Sequence, residues 1–254
     1  MRYILFGAVA VAAIASPAMA RDGAGYFGVE GGILFPSRTN YQVASTRVQT
    51  VPTGQGLIGQ TVTTTTAGFG DGFNARYKKG LDVDAVAGYD FGMFRVEGEL
   101  GYKRTRFRNF TASPALLTAV NTAPISGVTS GSFAFRDRTS ILSGMVNGLV
   151  DVDVAHGIRL YAGGGVGDAR VKSLGGRRSV FAGQLIAGAA MAIGPNVDLG
   201  LKYRYFQTAR LRFDNSAAFS DSKTGATSVS TFGNTGKFRS NSLLVSLTYN
   251  FGGG

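Results

Sequence analysis

The stretch LDVDAVAGYDFGMFRVEGELGYK (residues 81–103) decides how the chain is read, because its charges all fall on one face of a two-residue alternation. Leu81, Val83, Ala85, Ala87, Tyr89 and Phe91 share a face with Phe94, Val96, Gly98, Leu100 and Tyr102, and no charge interrupts it. Asp82, Asp84, Val86, Gly88 and Asp90 share the other with Arg95, Glu97, Glu99, Gly101 and Lys103. Period two is the repeat of a β-strand. Gly92-Met93 between the two runs suits a tight hairpin, with Gly at the first central position as a type II′ turn prefers. Pairing Phe91 with Phe94 then sets Asp90 against Arg95 and Asp82 against Lys103. Opposite charges across a ladder contribute roughly 0.2–1 kcal/mol each. Glu97 and Glu99 face only Gly88 and Val86, so their partners must come from elsewhere.

The same alternation recurs at residues 24–35, 140–154, 158–166, 179–193, 197–206 and 240–251, which with the hairpin makes eight strands. Each is about the 9–11 residues that a tilted membrane strand requires. Short turns at 92–93, 155–157 and 194–196 alternate with longer polar segments at 36–79, 107–137, 171–178 and 208–238. That is the pattern of an all-β, eight-stranded, antiparallel up-and-down transmembrane β-barrel with long extracellular loops and short periplasmic turns. A soluble lipocalin-like barrel would reverse the faces, putting the apolar one inside. Ser-, Thr- and Gly-rich segments such as TVTTTTAGFGDG (residues 61–72) read as mobile loops. Without Trp, interfacial girdles fall to Tyr and Phe: Tyr89, Phe91 and Phe94 near the short turns, Tyr102 and Tyr205 near the long loops.

Residues 1–20, MRYILFGAVAVAAIASPAMA, have one Arg, an apolar run and the small-residue ending Ala18-Met19-Ala20. This is the pattern of a secretory signal peptide, leaving residues 21–254 as the barrel domain. Its removal lowers the formal net charge from +11 to +10. The chain has no Cys, which excludes a disulfide scaffold and a lipid-anchored lipoprotein.

The lumen of an eight-stranded barrel is just wide enough for side chains to fill, so charges inside it must pair with one another. Counted up from the short turns, Glu30, Glu99, Lys202 and Arg204 fall at similar mid-barrel depth, with Glu30 and Glu99 expected to pair with the two cations, and Glu97 belongs to the same lumen charge network. Arg159 lies lower, with Asp151, Asp153 and Asp198. Such a network makes either a structural plug or a gated ion path. At the long-loop ends stand Arg104, Arg106, Arg108, Arg136, Arg138, Arg177, Arg178, Arg210 and Arg212, a basic collar suited to the phosphates of lipopolysaccharide. A ring of this kind does not fit nucleic acid, which favours one basic face with stacking aromatics. Enzymatic chemistry finds little material: the sole histidine, His156, sits in a short turn on the periplasmic side. Residues 163–167, GGGVG, lack the spacing and the following helix of a nucleotide loop. Neither a cofactor nor a metal site is expected, since Asp82 and Asp84 lie on one strand and no Cys or second His supports them.

The segments DVDAVAGYDFGMFRVEGELGYK, GLKYRYF (residues 200–206) and SLLVSLTYNF together resemble OmpA-like outer-membrane β-barrel proteins of alphaproteobacteria. The resemblance implies an outer-membrane location and insertion by the barrel-assembly machinery, with Tyr249 and Phe251 of the last strand as the signal it reads. The usual pattern is altered there by Ser246, Leu244 and the three glycines after Phe251. Many family members continue into a peptidoglycan-binding domain; here only the barrel domain is expected. The function expected is a monomeric, non-enzymatic barrel that stabilises the envelope through lipid and lipopolysaccharide contacts and displays surface loops. A narrow porin-like channel and a loop-mediated adhesin or receptor are the alternatives.

Overall fold

The computed structural model describes residues 23–53, 60–133, 138–154 and 157–251. Twelve strands follow in order: β1 (Ala24–Pro36), β2 (Thr39–Pro52), β3 (Gln60–Tyr77), β4 (Gly80–Asp90), β5 (Phe94–Ala112), β6 (Arg138–Val154), β7 (Ile158–Ser173), β8 (Gly176–Ala192), β9 (Val197–Thr208), β10 (Leu211–Ser220), β11 (Thr227–Gly236) and β12 (Arg239–Asn250). A short helix, α1 (Pro114–Val120), lies between β5 and β6. Eight strands close on themselves in the cyclic order β1-β4-β5-β6-β7-β8-β9-β12, every neighbour antiparallel. Closure removes the unpaired edges that an open sheet would expose to lipid.

The β4–β5 hairpin has the register expected from its charges, with Asp90 opposite Arg95 and Asp82 opposite Lys103. Its turn is closed by the Phe91 amide donating to the Phe94 carbonyl at 2.8 Å. Gly92 holds φ at +95°, in the left-handed region that favours glycine at this turn position. Around the barrel the outward face is apolar and open, with Val29, Val96, Leu100, Val146, Leu185, Leu201 and Val245 each about half exposed or more. The inward face is buried and largely polar. This inversion of a soluble protein fits a hydrocarbon solvent outside and a filled interior. Aromatic side chains ring the short-turn end, where Tyr89 packs on Phe91 and Tyr249 on Phe251 with ring centroids 4.7 and 5.5 Å apart.

The other four strands overturn the reading of the long segments as mobile. β2 and β3 form one hairpin and β10 and β11 another, and the order β10-β11-β2-β3-β5 joins both to the extended upper half of β5. TVTTTTAGFGDG lies wholly inside β3, with Thr66 opposite Thr46 and Thr64 opposite Val48. The physical reason is that threonine is β-branched and fits a pleated surface, whatever its polarity. The segment 171–178 is also tighter than its polarity suggests: β7 and β8 meet at Leu174-Gly175, both at positive φ, as a two-residue hairpin turn requires.

These hairpins build a crown around an apolar core. Tyr41 and Val43 of β2, Phe73 of β3, Phe213 of β10 and Phe232 of β11 pack against Leu34, Ile141, Val171 and Phe206 from the upper lumen face of the barrel. Leu116, Val120, Ile125 and Phe133 from the β5–β6 connection fill the middle of the same cluster. Ser113 caps α1 by accepting from the Leu116 amide at 3.3 Å, and Pro114 occupies its first turn, where no amide hydrogen is needed. At the other end of α1, Arg47 donates to the carbonyls of Ala119 and Val120 at 3.1 and 3.4 Å, two groups left without helical partners.

Candidate functional site

Below the crown the lumen holds stacked layers of charge. Nearest the short turns, Arg95 takes both oxygens of Asp151 at 2.6 and 2.9 Å, and Arg159 takes Asp90 at 2.7 Å and Asp153 at 3.2 Å. The Asp90–Arg95 pair expected from the register is therefore corrected: the two residues are opposite, but each finds its ionic partner elsewhere. Arg95 faces Leu149 on its β6 side and leans to Asp151 two positions along, while Asp90 reaches across the lumen to β7. The Arg95 guanidinium also lies 4.9 Å from the Tyr161 ring centre and 5.6 Å from that of Tyr26, within cation–π range of both. Tyr26 and Tyr161 lie over Gly88 and Gly188, where a Cβ would strike the rings. Asp198 instead accepts from Asn250 at 2.9 Å.

At mid-barrel Lys202 pairs with Glu30 and lies 3.6 Å from Glu97. Arg204 is fully buried and reaches four carboxylates: Glu30 at 3.2 Å, Glu99 at 3.3 Å, Asp84 at 2.8 Å and Asp82 at 3.3 Å. Lys103 adds contacts to Asp82 at 3.2 Å and Asp84 at 3.6 Å, with its ammonium 4.8 Å from the Phe206 ring centre, where the charged layers meet the apolar core. In this cluster five carboxylates share three cations. Neutral donors offset the excess: Tyr26 to Glu97 at 3.0 Å, Ser242 to Asp82 at 2.6 Å, Asn147 to Glu97 and Glu99 at 2.9 and 3.0 Å, and Gln184 to Glu99 at 2.9 Å.

The structure thus brings Glu30, Glu97, Glu99, Lys202 and Arg204 into one cluster and leaves Arg159 in a separate layer nearer the turns. Sequence reasoning missed that Asp82, Asp84 and Lys103 belong to the cluster, and that Asn147, Gln184 and Tyr26 complete it. The alternation does put every one of them on the lumen face, so the signal was present for their side of the sheet but not for their depth.

At the rim Arg104, Arg106, Arg108, Arg138, Arg177, Arg178, Arg210 and Arg212 are all exposed; Arg136 lies outside the described residues. Arg178 donates to the Arg212 carbonyl at 2.9 Å and lies 3.4 Å from Asp214. Arg106 is directly opposite Arg138, and Lys172 directly opposite Arg177, on the outer face just above Tyr102 and Leu142. Tyr249 and Phe251 face outward at the short-turn end, where the Phe251 amide donates to the Gly25 carbonyl at 2.9 Å.

A closed eight-stranded barrel with an apolar exterior and a salt-bridged, filled interior is a membrane-spanning barrel of the outer-membrane type. Within that class the chain belongs to the surface antigen family, whose model matches residues 20–245. Among solved structures it is similar to Neisserial surface protein A, at 16% identity over 89% of this chain and 97% of that one, with a TM-score of 0.41. It is also similar to the outer membrane protein OprG of Pseudomonas aeruginosa, at 11% identity over 91% and 97% of the two chains and a TM-score of 0.41. The attachment invasion locus protein Ail of Yersinia pestis gives 15% identity over 86% and 99%, with a TM-score of 0.29. Comparison with curated proteins finds no match.

Proposed function

We propose that this chain is a non-enzymatic outer-membrane protein that stabilises the envelope. Its crown faces outward, its lumen is closed, and its rim holds the phosphates of lipopolysaccharide. The observation that carries the reading is the pairing of like charges at the rim, Arg106 with Arg138 and Lys172 with Arg177, immediately above the apolar belt. Like charges directly opposite on a ladder are destabilising, and an anionic layer beside these rows would relieve that repulsion. Guanidinium groups bind phosphate bidentately. The OmpA-like strand segments read from the sequence support the same location.

The test has two parts. Outer-membrane fractionation and a change in gel migration on boiling check the location. The thermal midpoint of the barrel is then measured with lipopolysaccharide and after stripping lipopolysaccharide and divalent cations. A fall on stripping, smaller in the Arg106→Gln/Arg138→Gln variant, is expected; an unchanged midpoint would argue against the rim contact.

A second reading, recognition of another macromolecule at the cell surface, is favoured by the crown, which presents β2, β3, β10 and β11 as a folded sheet. Exchanging exposed crown residues such as Thr46 and Thr66 for Glu, while keeping the buried ones, tests it in an attachment assay.

A further inference from the structure

On the outer face of β8, β9 and β12, Gly183 is opposite Gln207 and Gln207 is opposite Arg239, in one row. One row nearer the turns stand Leu185, Tyr205 and Asn241. Because Gly183 has no side chain, a furrow of about 380 Å³ opens between Phe181, Leu185 and Tyr205, with Lys237 also lining it. Phe181 and Leu185 are 58% and 64% exposed, so the furrow belongs to the apolar exterior. Beside it lies a recess of about 550 Å³ that shares Lys237 and adds Arg38, Arg210 and Arg239. Among the described residues no acidic one lines this recess. Arg38 is anchored through Nε to Asn74 at 2.7 Å, and Arg239 through Nε to Gln207 at 2.8 Å. Anchoring through Nε leaves the terminal nitrogens of both forks for a ligand, and among the described residues no carboxylate pairs with any of the four cations.

We propose that the recess and the furrow are one binding site for a phosphate-bearing lipid of the outer leaflet. The phosphate sits among Arg38, Arg210, Lys237 and Arg239, and an acyl chain lies in the furrow over Gly183. Three guanidinium groups and an ammonium suit a phosphate group, which accepts several charge-assisted hydrogen bonds at once. The furrow decides between sources of phosphate: it lies within the apolar exterior and meets the recess at Lys237, whereas a free anion gains nothing from an apolar channel. This inference rests on reading the chain as an outer-membrane barrel with its crown outward.

The test is native mass spectrometry of the folded barrel in detergent, titrated with dioleoyl phosphatidic acid, with phosphatidylcholine and inorganic phosphate as comparisons. One retained phosphatidic acid adduct is expected, preferred over phosphatidylcholine and little displaced by phosphate. Lys237→Gln/Arg239→Gln should weaken it about tenfold or more, the loss of one or two charge-assisted hydrogen bonds. Gly183→Leu fills the furrow and should weaken it as well; a Cβ there stands 3.7 Å from the Gly165 carbonyl, an ordinary contact, so the barrel tolerates it. Equal binding of both lipids, unaffected by either variant, would overturn the proposal in favour of non-specific annular lipid. Phosphate binding as tight as the lipid's and indifferent to Gly183→Leu would overturn it in favour of a free-anion pocket. Gel migration on boiling is recorded for each variant. A wild-type barrel that does not shift defeats the outer-membrane reading and this proposal with it, whereas a barrel that shifts but retains no lipid defeats this proposal alone.

Discussion

Arg204 is the residue on which the lumen depends most. It is fully buried, and its two terminal nitrogens serve four carboxylates on β1, β4 and β5. Removing one partner of a buried ionic group leaves uncompensated charge, at a cost of about 3–5 kcal/mol. Arg204→Gln is therefore expected to lower unfolding stability by that amount, measured by urea titration of the barrel in lipid vesicles. Arg178→Gln provides the contrast: its contact with Asp214 joins side chains 49% and 58% exposed. Exposed pairs of this kind contribute roughly 0–1 kcal/mol, so the same titration should barely move. The alternation places Arg204 inside the lumen and Arg178 at the rim, and burial sets the difference in cost.

Among the elements, the strands of the barrel and those of the crown depend on different features. A side chain at Gly188 on β8 would strike the Tyr161 ring and come within 2.6 Å of the Leu201 carbonyl. Overpacking of this kind typically costs about 1–3 kcal/mol, so Gly188→Val should lower the temperature at which gel migration shifts. Adding Tyr161→Ala should restore only part of the loss, because the backbone contact persists. The crown depends instead on its aromatic core, where Phe232 is fully buried with its ring centre 5.9 Å from Phe73 and 5.6 Å from Phe133. Phe232→Ala removes about 3–5 kcal/mol of packing. The expected outcome is proteolytic cleavage within residues 60–77 while the barrel strands stay protected. Cleavage spread evenly over the chain would show that crown and barrel unfold as one unit.

For the whole molecule, two barriers lie in series along the lumen: the charged layers, and above them the apolar core of the crown. Removing one of them leaves the other. Planar-bilayer conductance is accordingly expected to be the same for the wild type, Glu99→Gln and Arg204→Gln. A conductance that rises in either variant would turn the network from a plug into a gate. The closed order of eight strands makes this arrangement possible, because a lumen of that width is filled by side chains rather than water.

The sequence by itself determined the eight barrel strands, the membrane-facing and lumen-facing sides of each, and the β4–β5 register. All three follow from a local rule, since successive side chains in a strand point to opposite faces and a two-residue turn fixes which positions meet. Only the tertiary structure decided which lumen charges pair. Asp90 goes to Arg159 and Arg95 to Asp151 because closure brings strands distant in sequence to the same depth, and the shear of a barrel sets that depth. The crown also belongs to the tertiary structure. Its strand β2 alternates as strictly as the barrel strands, but the inward positions include Ser45, Arg47 and Gln49, so apolar periodicity could not reveal it. Those polar side chains are buried because β2 pairs with β3 and β11 and encloses α1, contacts that no local pattern encodes.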